Sequence, residues 1–219
     1  MTMMSIFEAD TRLTASGQMF EIDEAVIRGV PTKIWKNAPA TLADILKLSR
    51  AYGERTFIVY EDERLSFEQH FRAAAHFAHV LQDRFGVGQG DRVSIAMRNL
   101  PEWSVAFWGA AAAGAVVVPL NAWWTGEELH FGLADSETKV LVADAERAAR
   151  IAPHLPDLPD LEASVVVGSR GGAPAGMLSW EETLGQIPDQ IDVPAVSVAA
   201  DDDATIFYTS GTTGRPKGA

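Results

Sequence analysis

The amino-acid sequence predicts an α/β fold in which a mostly parallel sheet carries helices on both faces. Compact apolar runs recur at residues 93–97, 116–118, 140–142 and 165–167. Because they do not alternate with polar residues, both faces of each strand are expected to be covered, as in parallel sheets flanked by crossover helices. Segments of helical spacing separate the runs, so the order is strand, helix, strand, helix.

Each element has a local reason. Residues 1–40 read as an N-terminal arm ending at Pro39. Thr41 caps a helix running to about Tyr52, and Gly53 stops it. Thr56–Tyr60 and Arg64–Phe67 flank the turn Glu61-Asp62-Glu63 as a hairpin. Ser66 and Gln69 form a capping box for a helix whose Phe67, Phe71, Ala74, Ala78, Leu81 and Phe85 share one face, and Gly86 and Gly88 end it. Val93–Met97 is a strand, Pro101 opens a helix to Ala113, and Val116–Val118 is the next strand. Thr125 and Glu128 form a second capping box, Val140–Val142 is a third strand, Ala145–Ala152 a helix and Val165–Val167 a fourth strand. From 153 to 200 periodicity lapses into an irregular connection, with a third capping box expected at Ser179 and Glu182. Ala204–Tyr208 is a last strand, followed directly by a glycine-rich loop. The reading thus divides the chain into an arm (1–40), an α/β body (41–200), and a strand with its loop (201–219).

Composition narrows the function. The chain has 219 residues, 47% of them hydrophobic, enough for a substantial core. Its net charge of −12 repels polyanions and argues against a nucleic-acid partner or an anionic membrane surface. With no cysteine, thiol catalysis, thiolate metal sites and disulfides are excluded, which suits a cytoplasmic location. Residues 105–120 carry no polar side chain, but the run is too short to span a bilayer and holds Gly109, Gly114 and Pro119. A buried helix followed by a buried strand is expected there, with no transmembrane segment. The first twenty residues lack a basic region leading into an apolar one, so no secretion signal is expected.

The chemistry concentrates in Tyr208-Thr209-Ser210-Gly211-Thr212-Thr213-Gly214-Arg215-Pro216-Lys217-Gly218. Gly211, Gly214 and Gly218 let successive backbone N–H groups approach a polyphosphate. Thr209, Ser210, Thr212 and Thr213 add hydroxyl donors, and Lys217 supplies the cation, which makes this cluster an anion trap in an acidic chain. A Walker A loop needs Gly-Lys-Ser/Thr opening a helix, whereas here Pro216 precedes the lysine and keeps the backbone extended. The GxGxxG dinucleotide fingerprint is absent, which disfavours a nicotinamide enzyme. His76 and His79 lie three apart without a third ligand at metal spacing, and Asp201–Asp203 read as a solvated loop. Trp123 and Trp124 follow a strand end where α/β sites gather, although packing is their more common use.

This loop closely resembles the signature of the adenylate-forming superfamily, which includes acyl-CoA synthetases, luciferases and peptide-synthetase adenylation domains. Gly90-Asp91-Arg92-Val93, Asn99-Leu100-Pro101-Glu102-Trp103, Gly114-Ala115-Val116-Val117-Val118-Pro119-Leu120-Asn121 and Glu127-Glu128-Leu129 resemble the same family, so the resemblance spans about residues 35–219. Asn121-Ala122-Trp123-Trp124, in place of the peptide-synthetase Asp-Pro, resembles the acyl-CoA ligase branch. The resemblance implies the N-terminal subdomain of the acyl-CoA synthetase-like fold. It also implies ATP-dependent activation of a carboxylic acid, a fatty acid first and an aryl acid next, to acyl-AMP and then acyl-CoA.

Under that reading the ATP phosphates are held by Thr209, Ser210, Gly211, Thr212, Thr213, Gly214 and Lys217, with Thr209 facing Mg²⁺ and CoA as co-substrate. The partners implied are small molecules, and a homodimer is compatible with the reading. In this family the adenine site, most of the acyl pocket and a catalytic lysine lie beyond the loop. No catalytic residue is therefore assigned within these 219 residues, and the chain alone is expected not to turn over. A non-catalytic nucleotide- or partner-binding module and adenylation of an aryl or amino acid are the alternatives.

Overall fold

The computed structural model describes residues 4–169, 172–209 and 216–219. It divides into two compact units, Met1–Thr41 with Ala199–Asp201, and Leu42–Val198 with Asp202–Ala219.

The first unit contains elements to which the sequence reading assigned no structure. Helix α1 (Ile6–Leu13) starts at a capping box in which Ser5 Oγ accepts the Glu8 N–H and Glu8 accepts the Ser5 N–H. Strands β1 (Ile22–Ile27) and β2 (Val30–Trp35) pair antiparallel across Arg28-Gly29. Both turn residues have positive φ, 49° and 82°, the backbone that a two-residue hairpin requires.

In the second unit, α2 (Leu42–Ser49) tightens into a 3₁₀ turn at Arg50–Tyr52 and ends at Gly53. The hairpin is β3 (Thr56–Tyr60) and β4 (Glu63–Ser66), one residue tighter than expected, because Glu63 pairs with Tyr60 and Phe67 already belongs to the following helix. The Ser66–Gln69 capping box opens α3 (Phe67–Asp83). Then come β5 (Arg92–Ala96), α4 (Pro101–Ala112) with proline in its first turn, β6 (Val116–Pro119), α5 (Gly126–Asp135) with the Thr125–Glu128 capping box, and β7 (Thr138–Asp144). Next are α6 (Ala145–Ile151), β8 (Ala163–Val167), β9 (Leu178–Ser179) and α7 (Trp180–Leu184). At α7 only half of the expected capping box forms: Ser179 Oγ accepts the Glu182 N–H and donates to Glu181, but the Glu182 carboxylate does not take the Ser179 backbone N–H. The final pair is β10 (Tyr208–Thr209) and β11 (Lys217–Gly218).

The five-stranded sheet has the order β6-β5-β7-β8-β9, and every pair in it is parallel. Alternate strand residues feed two cores. Val93, Ile95, Val117, Val140, Val142 and Val165 pack with Phe71 and Phe77 of α3 and Ala106 and Ala110 of α4. Ala96, Val118, Leu141, Ala143 and Val166 pack with Leu129 and Leu133 of α5 and Ala148 and Ile151 of α6. The α/β fold with helices on both faces is thus observed. Phe71 and Phe77 are fully buried, and each such side chain stabilises by about 1.5–3 kcal/mol.

The 105–120 run is the buried helix α4 followed by β6, and no helix among the described residues is long and apolar enough to cross a membrane. The expected strand Ala204–Tyr208 is not continuous. Ala204 O accepts from Val117 N and Ile206 N donates to Val117 O, one parallel bridge beside β6. The backbone then leaves that edge, and Tyr208 pairs with Gly218 instead.

Candidate functional site

The glycine-rich segment enters and leaves through β10 and β11, where Tyr208 faces Gly218 and Thr209 faces Lys217. Phe207 and Ala219 exchange both backbone hydrogen bonds, at 2.8 and 2.9 Å, so three successive positions are zipped. Thr209 and Lys217 are exposed. Ser210, Gly211, Thr212, Thr213 and Gly214, named with them from the sequence, lie outside the described residues.

Tyr208 fastens this strand pair to the body of the unit. Its hydroxyl donates to Asp135 Oδ2 at 2.7 Å, and its ring meets Trp124 edge-on with centroids 5.7 Å apart. Burial and the neighbouring Asp135 carboxylate push the Tyr208 hydroxyl pKa well above its ordinary value, so it stays a donor. Gly218 has little room: a methyl there would lie 3.0 Å from Ile206 Cγ2 and 3.3 Å from the Tyr208 ring.

A second feature lies at the carboxyl ends of the sheet strands. The chain runs from β5 to β6 on one side and from β7 to β8 on the other, and parallel α/β sheets open a crevice at such a point. Here an open cleft of about 1020 Å³ is lined by Arg98, Glu102, Trp123, Asp144 and Arg147 among others. Asp144, the last residue of β7, caps α6: Oδ1 accepts the Arg147 N–H and Oδ2 accepts the Arg98 N–H, each at 2.9 Å. The Arg147 side chain is 2% exposed. Its Nε donates to Ala122 O, and its Nη1 donates to Asp144 and Glu146. Its Nη2 is enclosed and has no hydrogen-bond partner among the described residues. Glu102 also lines the cleft, and burial raises its pKa, with Glu63 and Glu181 adding like charge.

The turn after β6 separates the two tryptophans. Asn121 Oδ1 accepts the Trp123 N–H and Asn121 O accepts the Trp124 N–H. Trp124 is thereby buried beside Gly132, whereas Trp123 is 70% exposed on the cleft with the Arg98 guanidinium 4.1 Å from its ring centroid. The other sequence candidates have structural partners. His76 and His79 donate through Nε2 to Leu184 O and Asp192 O, clasping the irregular connection. Asp202 accepts from Gln89 Nε2, and among the described residues no three His, Cys, Asp or Glu side chains converge for a metal.

Sequence reasoning overlooked Arg147. Its available signal was the spacing from Asp144, the three-residue step of a capped helix start, but its burial depends on Ala122, distant in sequence.

Comparison with known proteins places these features in context. The family model described as AMP-binding enzyme matches residues 47–219. A long-chain-fatty-acid–CoA ligase of Mycobacterium tuberculosis is 35% identical over 161 residues, covering 72% of this chain and 29% of the relative. A 4-hydroxybenzoate–CoA/benzoate–CoA ligase of Rhodopseudomonas palustris is 32% identical, covering 76% of this chain and 30% of the relative. Among solved structures, an anthranilate CoA ligase in complex with anthranoyl-AMP aligns with a TM-score of 0.75 at 28% identity, covering 83% of this chain and 35% of that one. The N-terminal domain of FACL13 from M. tuberculosis aligns at 0.68 and 30%, covering 82% of this chain and 44% of that one. The chain therefore spans about a third of the length of the curated ligases it matches.

Proposed function

The chain belongs to the AMP-binding enzyme family, and from that premise we propose that it supplies the ATP-phosphate cradle of an enzyme that converts a carboxylic acid to acyl-AMP and then to acyl-CoA. The observation that carries this reading is the pairing of Thr209 with Lys217 at the mouth of the glycine-rich segment, which sets a hydroxyl and an ammonium at neighbouring backbone positions. An ammonium held there forms charge-assisted bonds to phosphate oxygens, each contributing about 1.5–3 kcal/mol.

In the proposed reaction the acid's carboxylate attacks the α-phosphorus, the bond to the β-phosphate breaks, and pyrophosphate leaves; a thiolate then displaces AMP from the acyl carbon. Lys217 and the Thr209 hydroxyl act on the first step by positioning the β- and γ-phosphates and stabilising the departing charge. The Thr209 hydroxyl is a hard neutral oxygen on an exposed strand, which fits one ligand position of an ATP-bound Mg²⁺, an ion that would neutralise phosphate charge. Ser210, Gly211, Thr212, Thr213 and Gly214 share in the cradle under the same reading.

A fatty acid is the leading substrate, supported by the mycobacterial long-chain relative, and the benzoate-type ligases support an aryl acid next. Because the chain spans about a third of those relatives, we expect it to hold phosphate without turning over by itself. The test is acid-dependent ATP–pyrophosphate exchange, with a panel of fatty and aryl acids, in the longest form of the protein its gene encodes. Lys217→Ala should slow the exchange by about 100-fold or more. An unchanged rate would overturn the assignment.

A further inference from the structure

We propose that Tyr208 and Asp135 form a positioning pair that holds the β10–β11 ribbon, and with it Thr209 and Lys217, in place, so that breaking their hydrogen bond weakens polyphosphate binding without unfolding the protein. The inference rests on the reading of the segment as a phosphate cradle and adds a residue pair outside it.

The geometry is specific. Tyr208 is the residue immediately before Thr209, and its backbone partner is Gly218, immediately after Lys217. One side chain therefore stands at both ends of the segment at once. Its ring lies 3.3 Å from where a Gly218 methyl would be, which leaves the returning strand little lateral freedom. Its hydroxyl reaches across to the last residue of α5, Asp135, at 2.7 Å, and Trp124 braces the ring from the side.

By contrast, among the described residues β10 and β11 have only each other as ladder partners. The sheet nearby is reached through the single bridge at Thr205, three residues before Tyr208. A two-stranded ribbon of this length has little stability of its own. Its position is set by what its side chains grip, and the Tyr208 hydroxyl makes its charge-assisted bond to the helix. Without that bond the ribbon samples other positions, and apparent affinity falls by the fraction of time it spends in the competent one.

The experiment is calorimetric titration of the 219-residue chain with magnesium pyrophosphate and, separately, with magnesium ATP. The variants are Tyr208→Phe, Asp135→Ala, the double variant and Asp135→Asn, with urea unfolding of each in parallel. Tyr208→Phe and Asp135→Ala should each weaken binding by about tenfold, the loss of one hydrogen bond to a charged group. The double variant should be no weaker than either single one, and Asp135→Asn, which keeps an acceptor, should recover most of the affinity. Equal affinities across folded variants, or additive losses in the double variant, would overturn the pairing while leaving the cradle intact. Absence of binding by the unsubstituted chain would instead overturn both the cradle and the pairing. Should Tyr208→Phe fail to fold, the contrast between Asp135→Asn and Asp135→Ala decides alone: a purely structural pair would shift the urea midpoint and leave the two affinities equal.

Discussion

Asp144 and Arg147 form a buried ion pair, 3.1 Å between Oδ2 and Nη1, in which the carboxylate also caps helix α6 and holds the backbone of Arg98. Replacing the carboxylate removes the helix cap and the Arg98 acceptor, and leaves the almost fully enclosed guanidinium paired with the exposed Glu146 alone among the described carboxylates. Asp144→Ala should therefore destabilise by about 3–5 kcal/mol, read as a lowered urea midpoint at pH 7. Asp144→Asn should cost less, since it keeps the cap. A loss under about 1 kcal/mol for the alanine variant would mean that the pair is solvated.

His70 gives a pH dependence. It is 2% exposed, its Nε2 lies 2.9 Å from Ser104 Oγ, and the Phe57 ring packs at 4.7 Å. Burial pushes its pKa down to about 4, with the Ser104 contact acting in the opposite direction. The folded state thus resists a proton that the unfolded chain accepts near 6.5. The contribution is fully present above pH 6.5 and is lost as pH falls toward 4, by about 3 kcal/mol at most. Unfolding midpoints of the unsubstituted chain and His70→Gln, compared from pH 7 to 4, should diverge in slope across that window. Parallel slopes would place the proton elsewhere.

Gly109 lets α4 lie close against α3. A methyl there would lie 2.8 Å from Phe77 Cδ1 and 2.9 Å from Ala74 O. Alanine favours a helix over glycine by about 1 kcal/mol, but overpacking typically costs about 1–3 kcal/mol. Because one neighbour is backbone, the steric term should win and Gly109→Ala should destabilise. A rise in the melting temperature would show that the helices can separate freely.

Ser66 caps α3 and also bridges it to β4. Ser66→Ala should cost about 1 kcal/mol, measurable by chemical denaturation, whereas Ser66→Asp should recover most of it. Loss from both alike would point to the burial of the hydroxyl and not to the cap.

The sequence was most legible where the physics is local. The capping boxes at Ser66–Gln69 and Thr125–Glu128 require only residues three apart, and both are present. The apolar runs at Val93, Val116, Val140 and Val165 became β5 to β8 because only a doubly covered strand has no use for polar alternation. Ser179 and Glu182 have the same spacing as the capping boxes, yet only the serine half of the exchange is made, which spacing cannot reveal. The Ala204–Tyr208 run has strand composition, but it meets β6 in one bridge at Thr205 and Tyr208 then pairs with Gly218, a choice of partner that composition cannot reveal. The cleft was less legible than the glycine-rich segment. Arg147 looks in sequence like any basic residue on a short helix, and only the Ala122 carbonyl and the Asp144 carboxylate, brought together by the sheet, turn it inward.

The order β6-β5-β7-β8 has a consequence for how this protein can change. The crevice at its strand ends is a product of the backbone's winding, so replacing Trp123, Arg98 or Glu102 should reshape the rim of the hollow without closing it. The rim can change through such substitutions, while the winding that opens the crevice stays fixed in the buried valines.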